Sequence, residues 1–555
     1  MSLGASGESG LSRRSLLAGA GLGLAAGCRQ APREAAGPVA PAFVGQSPER
    51  GHLLRSAELL SAPIDARERV AVAIVGGGVS GLCAAWQLRR RGVEDLALFE
   101  LEDSLGGTAR SGALPRSSYP MGAHYLPTPP RELVELHALL EDIGVIVGRE
   151  HDGRLEFQST AICAGPLERH FDPETRQWGP GLYPNLGETA AEAEQFERFW
   201  AELEALDGRR DAGGRLHFRL PARRSSGALA HLDGQSMADW LDARGYDSWR
   251  LRWFVDYACR DDYGCSAEQT SAWAGLHHFL GRGLAQNREG QLLTFPGGNG
   301  ELVERIAARV ALGARQRPGH LVYALDPDKG ELRVRDLSTQ RSIAVAAERI
   351  LWAAPRYLLP HVLPRPEHDP LLPDLRAGGF SHAPWLVANV ELAEHPGGLG
   401  APLAWDNVPV IADPKARNLG YVVANHGDDR LDAHRPGAVL TYYEPLVDAD
   451  PREARARLLA GDAAQWGEHV LRSLEAMHPT IRAQVRGLHV HRWGHAMVRP
   501  TPGLLFGGVL ERARAPLGEG GRVRACATDV GGLPLFEEAF YAATEAADWA
   551  AERLG

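Results

Sequence analysis

Gly76, Gly78 and Gly81 stand at G-x-G-x-x-G spacing, directly after the apolar run VAVAIV at residues 70–75 and ahead of a helical pattern over residues 82–91. This chemistry is that of a dinucleotide cradle. Gly76 permits a tight turn, Gly77 and Gly78 let backbone approach a pyrophosphate, and Gly81 lets the helix pack closely on its strand. The N-terminus of the helix that follows favours negative phosphates. A second apolar run, residues 96–99, ends on Glu100, an acid placed to hydrogen-bond ribose hydroxyls. The motif alone is weak in a chain with 64 glycines; its strand–turn–helix–strand–acid context gives it force.

Further along come Leu105-Gly106-Gly107-Thr108-Ala109-Arg110 and then Tyr119-Pro120-Met121-Gly122-Ala123-His124. They are followed in order by Phe295-Pro296-Gly297-Gly298-Asn299-Gly300, by Val322 in a short strand, and by Ile350-Leu351-Trp352-Ala353-Ala354-Pro355. Near the end stand Arg492-Trp493, Pro502-Gly503 and Ala525-Cys526-Ala527-Thr528-Asp529, with a last helix from about Leu535. This ordered set, over roughly residues 68–555, resembles the flavin-containing amine oxidase superfamily, which also holds protoporphyrinogen oxidases and phytoene desaturases. The resemblance implies FAD as cofactor, held by Gly76, Gly77, Gly78, Ser80, Gly81, Glu100, Gly106, Gly107, Thr108, Arg110, Gly122, Ala123, Val322, Thr528, Asp529, Phe536 and Ala539. Two positions depart from the family pattern. Thr108 replaces an arginine, so a phosphate contact is lost or passes to Arg110. Thr528 replaces a glycine before Asp529.

The resemblance also implies where a substrate meets the flavin. His124 follows the Gly-Ala segment that runs past the ring; it handles a proton or orients substrate, or else supports its own loop. Trp493 and His495 lie where the family chain passes between substrate and flavin. Classical members carry a lysine in the substrate-lobe sheet, yet the matching run at residues 385–392 has none, and Lys415 sits in a polar loop. The implied reaction is dehydrogenation of an amine or of an apolar C–H substrate, with reoxidation by oxygen or another acceptor. A flavin-dependent isomerase and a non-catalytic or electron-transfer flavoprotein remain as alternatives. No second G-x-G-x-x-G suggests a nicotinamide reductant.

Positioning these residues requires an α/β fold: a discontinuous Rossmann-type FAD-binding domain at 68–160, 296–360 and 490–555. An α+β substrate lobe takes 161–295 and 361–489. Residues 190–206 and 236–257 read as helices, and 385–392, 419–423 and 438–443 as strands. Alternation allows only one of Tyr442 and Tyr443 to face a cavity.

The N-terminus reads as a targeting segment. Ser12-Arg13-Arg14-Ser15-Leu16-Leu17 and the short apolar run after it resemble a twin-arginine export signal, with Cys28 as a lipid acceptor or, failing that, cleavage after a small residue. The expected partners are a small-molecule substrate, the export machinery and a membrane tether through Cys28. The expected location is the periplasm or the periplasmic side of its membrane. Residues 29–67, rich in Pro, Ala, Arg and Glu, read as a linker and a poorly ordered lead-in. The net charge of −10 over 555 residues gives no basic face for nucleic acid. No cysteine or histidine spacing suggests a metal. Cys83 reads as a packing residue, a Cys259–Cys265 disulfide stays open, and His277-His278 reads as a packing or surface pair.

Overall fold

The computed structural model describes residues 39–163, 165–285, 291–411, 418–426 and 437–554. The export motif, Cys28 and Lys415 lie outside these. From Val39 onward the chain forms one compact unit built on two large sheets.

The first sheet has seven strands. Leu96–Phe99, Ala66–Val75 and Ser342–Trp352 lie side by side and parallel, and Val523–Ala525 joins the end of the last of these, also in parallel. Such strands are covered on both faces, which is why VAVAIV is a continuous apolar run rather than an alternating one. Val72 and Ile74 pack toward the helices Val79–Arg90 and Phe536–Ala551, while Ala73 and Val75 pack toward Val322, Leu332 and Trp352. An antiparallel pair, Glu331–Asp336 and His320–Asp326, extends this sheet beyond Ser342–Trp352.

The second sheet has nine strands, running Ala42–Phe43, Val485–Val498, His382–Leu392, Val439–Pro445, Tyr421–Val423, Asp406–Pro409, Glu168–Asp172, Gln177–Pro180, Leu399–Gly400. Side chains alternate across it. Leu386, Ala388, Val390, Leu440 and Tyr442 face the cluster that includes Leu458 and Leu474 of the helices Pro451–Ala460 and Ala463–Met477. Each large aliphatic side chain so buried contributes about 1.5–3 kcal/mol. Trp385, Val387, Val439, Tyr443 and Trp493 face the opposite way, against Tyr119 and Met121. That inner face roofs the glycine-rich segments.

One expectation differs from what is observed, and one open point is closed. The span read as linker holds, from Val39 on, the strand Ala42–Phe43 and the helices Pro48–His52 and Ala57–Leu60. Its polar composition hid this, because pairing with the edge of Val485–Val498 supplies the order that local sequence lacks. Cys259 and Cys265 are both buried and are not bridged to each other, so the open disulfide is not formed. No described helix is long and apolar enough to cross a membrane.

Candidate active site

The first glycine turn is built from close approaches. Gly76 has φ +104°, and a Cβ there would stand 2.7 Å from the backbone nitrogen of Ala354. A Cβ on Gly81 would overlap the Gly76 carbonyl outright. At Gly78 such a Cβ would make only ordinary contacts, the nearest to Gly107 Cα at 3.8 Å, so this backbone is not crowded by the protein itself. Gly78 is the N-cap of Val79–Arg90 with no side-chain cap, and the first helical N–H groups stay available to an anion. Ser80 is buried in that first turn.

Glu100 closes one end of this cradle. Its carboxylate accepts from Gly77 N at 2.7 Å and from Glu102 N at 2.9 Å. Burial raises its pKa, with those two N–H groups pulling the other way. The Glu100 carbonyl accepts from His320 N, tying the start of the Val322 strand to the same end. Gly106 (φ +121°) donates its N–H to Gly77 O at 2.8 Å, and Gly78 and Gly106 form a parallel bridge. Thr108 is exposed, and its carbonyl accepts from Ala123 N at 3.1 Å. Arg110 is buried, with Nε on Gly107 O at 3.2 Å and its guanidinium 5.8 Å from the Trp493 ring centre.

The second half of the cradle comes from residues 523–539. Asp529 Oδ2 accepts from Arg356 N at 2.7 Å and lies 3.2 Å from His382 Nε2. Its Oδ1 is buried without a partner. Such an orphan oxygen costs about 1–3 kcal/mol unless a ligand hydroxyl or N–H meets it. The uncrowded backbone at Gly78, the free N–H groups of the helix it caps and this unpartnered acceptor fit a dinucleotide carrying phosphates and hydroxyls. Thr528 is half-buried at the start of this turn, and Phe536 and Ala539 occupy the first turn of Phe536–Ala551, which has no side-chain cap.

Residues 121–125 lead from the cradle to the substrate face. A Cβ on Gly122 would lie 2.5 Å from Thr108 O, and Trp493 Nε1 donates to Met121 O at 2.6 Å. His124 Nδ1 donates to Gly122 O at 3.0 Å, which leaves Nε2 as an acceptor. Burial lowers its pKa to about 4, so the ring is neutral at physiological pH. Its neighbours are the rings of Tyr443, Tyr125 and Trp405, with centroids 5.2, 5.3 and 5.7 Å away.

Behind those rings stand two carboxyls. Asp406 accepts from Tyr443 Oη at 2.8 Å and from Tyr257 Oη at 2.9 Å, and Asp261 accepts from Tyr125 Oη at 3.2 Å. Burial pushes Asp406 up to about 7; the two tyrosine hydroxyls oppose this and Glu168 adds to it. Asp261 is raised by burial and by repulsion from Asp262 and Asp406. The neighbouring Asp262 differs: burial opposes its ionisation, but His278 at 2.6 Å outweighs it and the pKa falls. Neither Asp261 nor Asp406 makes an ion pair among the described residues.

Sequence reasoning named His124 and Trp493, and segment 121–124 links them. It did not name Asp261, Asp406, Tyr125, Tyr257 or Trp405, which only the fold gathers. His495 goes elsewhere: it is exposed, stacked on Tyr357 at 4.3 Å and 6.1 Å from the His382 ring, on the Asp529 side. Asn299, buried with Nδ2 on Tyr125 O at 2.8 Å and Oδ1 unpartnered, was visible only as part of its motif. At residues 385–392 the inner face opens with Trp385, paired in register with Trp493, its Nε1 buried without a partner. His277 is buried on Arg219 O, and His278 pairs with Asp262.

Residues 74–141 match the family of NAD(P)-binding Rossmann-like domains. The tryptophan 2-monooxygenase of Pantoea agglomerans pv. gypsophilae is 49% identical over 61 residues, a stretch covering 10% of this chain and 11% of that enzyme. The wider likeness is one of shape. Cyclohexylamine oxidase from Brevibacterium oxydans IH-35A matches with TM-score 0.60 at 18% identity, over 87% of this chain and 99% of its own. A double mutant of putrescine oxidase matches with TM-score 0.60 at 15% identity, over 88% and 100%. Residues 74–141 are thus similar to a Rossmann-like dinucleotide domain, set within a fold shared with cyclohexylamine oxidase and putrescine oxidase.

Proposed function

We propose that this protein is an FAD-dependent oxidoreductase that dehydrogenates an amine. One observation carries the choice of an amine over an apolar C–H substrate: Asp261 and Asp406, two carboxyls without an ion-pair partner among the described residues, stand behind the rings around His124. Beside an apolar substrate burial favours the protonated form of both, whereas an ammonium group favours the ionised form and pairs with it.

FAD would be held by the Gly76–Gly81 turn, Glu100, Gly106, Gly107 and Asp529, and when bound it supplies a hydride acceptor. The chain's own residues then have separable tasks. His124, neutral and with Nε2 available, accepts a hydrogen bond from the amine N–H and orients it. It is too weakly basic to keep a proton near neutral pH. Asp406, held near 7, is the better-matched proton acceptor, and Tyr443 positions it. Trp405 and Tyr125 exclude water. We also propose that residues 1–28 direct twin-arginine export, with Cys28 as the tether.

The test is an absorption spectrum of the purified protein, then anaerobic mixing with primary amines, secondary amines and apolar alkenes. Bleaching by an amine alone supports this reading. Bleaching by an alkene alone, or a protein that takes up no flavin on reconstitution, refutes it.

A further inference from the structure

We propose that residues 39–55 form a strap across the dinucleotide cleft and that Gln46 is a cofactor-binding residue, presenting its side-chain amide to a phosphate oxygen or ribose hydroxyl. The proposal rests on the reading of the glycine cradle as a dinucleotide site.

Both ends of the strap are anchored. At one end Ala42 and Phe43 pair in parallel with His489 and Val490, Val44 N donates to Val490 O at 3.0 Å, and His491 Nδ1 donates to Val44 O at 2.8 Å. The Arg492 guanidinium covers the Phe43 ring at 3.7 Å. At the other end Ser47 N donates to Glu102 Oε1 at 2.9 Å, and Arg50 grips Asp103 through two bonds of 2.8 and 2.7 Å. Ser47 caps the short helix Pro48–His52 that follows.

Between the anchors the strap passes over the cradle. Gly45, at φ +103°, has Met121 and His491 against it; a Cβ there would lie 3.1 Å from Met121 Sδ. Met121 precedes Gly122, and Glu102 lies two residues beyond Glu100, so residues 45–47 join the two ends of the cofactor segments. Arg110 lies between, 4.0 Å from Glu102.

Gln46 sits at the middle of this crossing. Both its amide oxygen and its amide nitrogen are buried, and neither has a hydrogen-bond partner. The anchors on either side of it are satisfied, while this side chain is not. A primary amide offers two donors and an acceptor, the complement that phosphate oxygens and ribose hydroxyls present.

The test uses the full chain loaded with FAD, in the native form and as Gln46→Leu and Arg50→Ala. FAD release after dilution is followed by the return of flavin fluorescence, and melting of the flavin-free protein is measured alongside. We expect release at least tenfold faster in both variants, with melting of flavin-free Gln46→Leu unchanged or raised because no bond is lost there. FAD should also slow trypsin cleavage after Arg50 and Arg55 in the native protein. Unchanged release from Gln46→Leu, or trypsin cleavage indifferent to FAD, overturns the strap while leaving the flavin reading intact. A native protein that cannot take up FAD overturns both.

Discussion

The Tyr443 hydroxyl donates to Asp406 Oδ1 at 2.8 Å from the inner face of the nine-stranded sheet. Its neighbour Tyr442 points the other way, donating to Glu444 and Ser473 beneath the helix Ala463–Met477. Tyr443→Phe should therefore slow flavin reduction by an amine about tenfold, roughly 1.4 kcal/mol of lost positioning. Tyr442→Phe should leave that rate alone and lower stability by about 1 kcal/mol. Stopped-flow reduction and denaturant melts of both variants separate the two faces; equal effects on rate would contradict the assignment.

Asp406 gives a pH dependence with a definite sign. Burial lifts its folded pKa from 3.8 to about 7, so between those values the folded state holds a proton that the unfolded state has lost. Its contribution to stability is therefore present at low pH and declines as pH rises through that window. Substrate binding runs oppositely, since an ionised Asp406 attracts an ammonium. Amine affinity should rise across neutral pH and flatten in Asp406→Asn. The same variant should reduce the loss of melting temperature between about pH 5 and pH 8 in substrate-free protein. A native profile that Asp406→Asn reproduces would exclude the role.

Gly78 and Gly81 should fail differently. Gly81→Val drives a side chain into the Gly76 carbonyl and should cost about 3 kcal/mol or more of stability, read from denaturant unfolding. Gly78→Val places its Cβ at ordinary contact distance from Gly107, 3.8 Å, at an extended φ of −76°, so it should fold normally and hold no flavin. Full flavin content in purified Gly78→Val would remove the pyrophosphate from that place.

Arg356 and Asp369 form a fully buried bidentate pair, with bonds of 2.7 and 2.5 Å. Arg356 also offers its backbone N–H to Asp529. Removing the carboxylate alone, by Asp369→Ala, strands a buried guanidinium and should cost about 3–5 kcal/mol. Chemical denaturation of the flavin-free protein checks this, and flavin affinity should fall with it.

Arg13→Lys combined with Arg14→Lys should hold the protein in the cytoplasm. Cell fractionation with unchanged export would dismiss the targeting reading.

The nucleotide half was legible because its constraints are local. Gly76, Gly78 and Gly81 serve a turn spanning six positions, and Glu100 ends the very next strand. Alternation alone required one of Tyr442 and Tyr443 to face inward, and the packing of the sheet decides that it is Tyr443. The acid–tyrosine group was not legible, since Tyr257 and Asp261 on one helix meet Asp406 from a strand far along the chain. No local pattern distinguishes Asp261, which faces Tyr125, from Asp262, which pairs with His278. The strap escaped notice for a related reason: Ala42 and Phe43 are a strand only because His489 and Val490 offer an unpaired edge.

The nine-stranded sheet ends on both sides in strands of two residues, Ala42–Phe43 and Leu399–Gly400. Edges this short give a neighbouring molecule little template for pairing, a form of protection against aggregation. Deleting residues 39–47 would strip one guard and bare the middle of the 14-residue strand Val485–Val498, at His489 and Val490. Insolubility of such a truncated protein would then report a lost edge guard rather than a failed core.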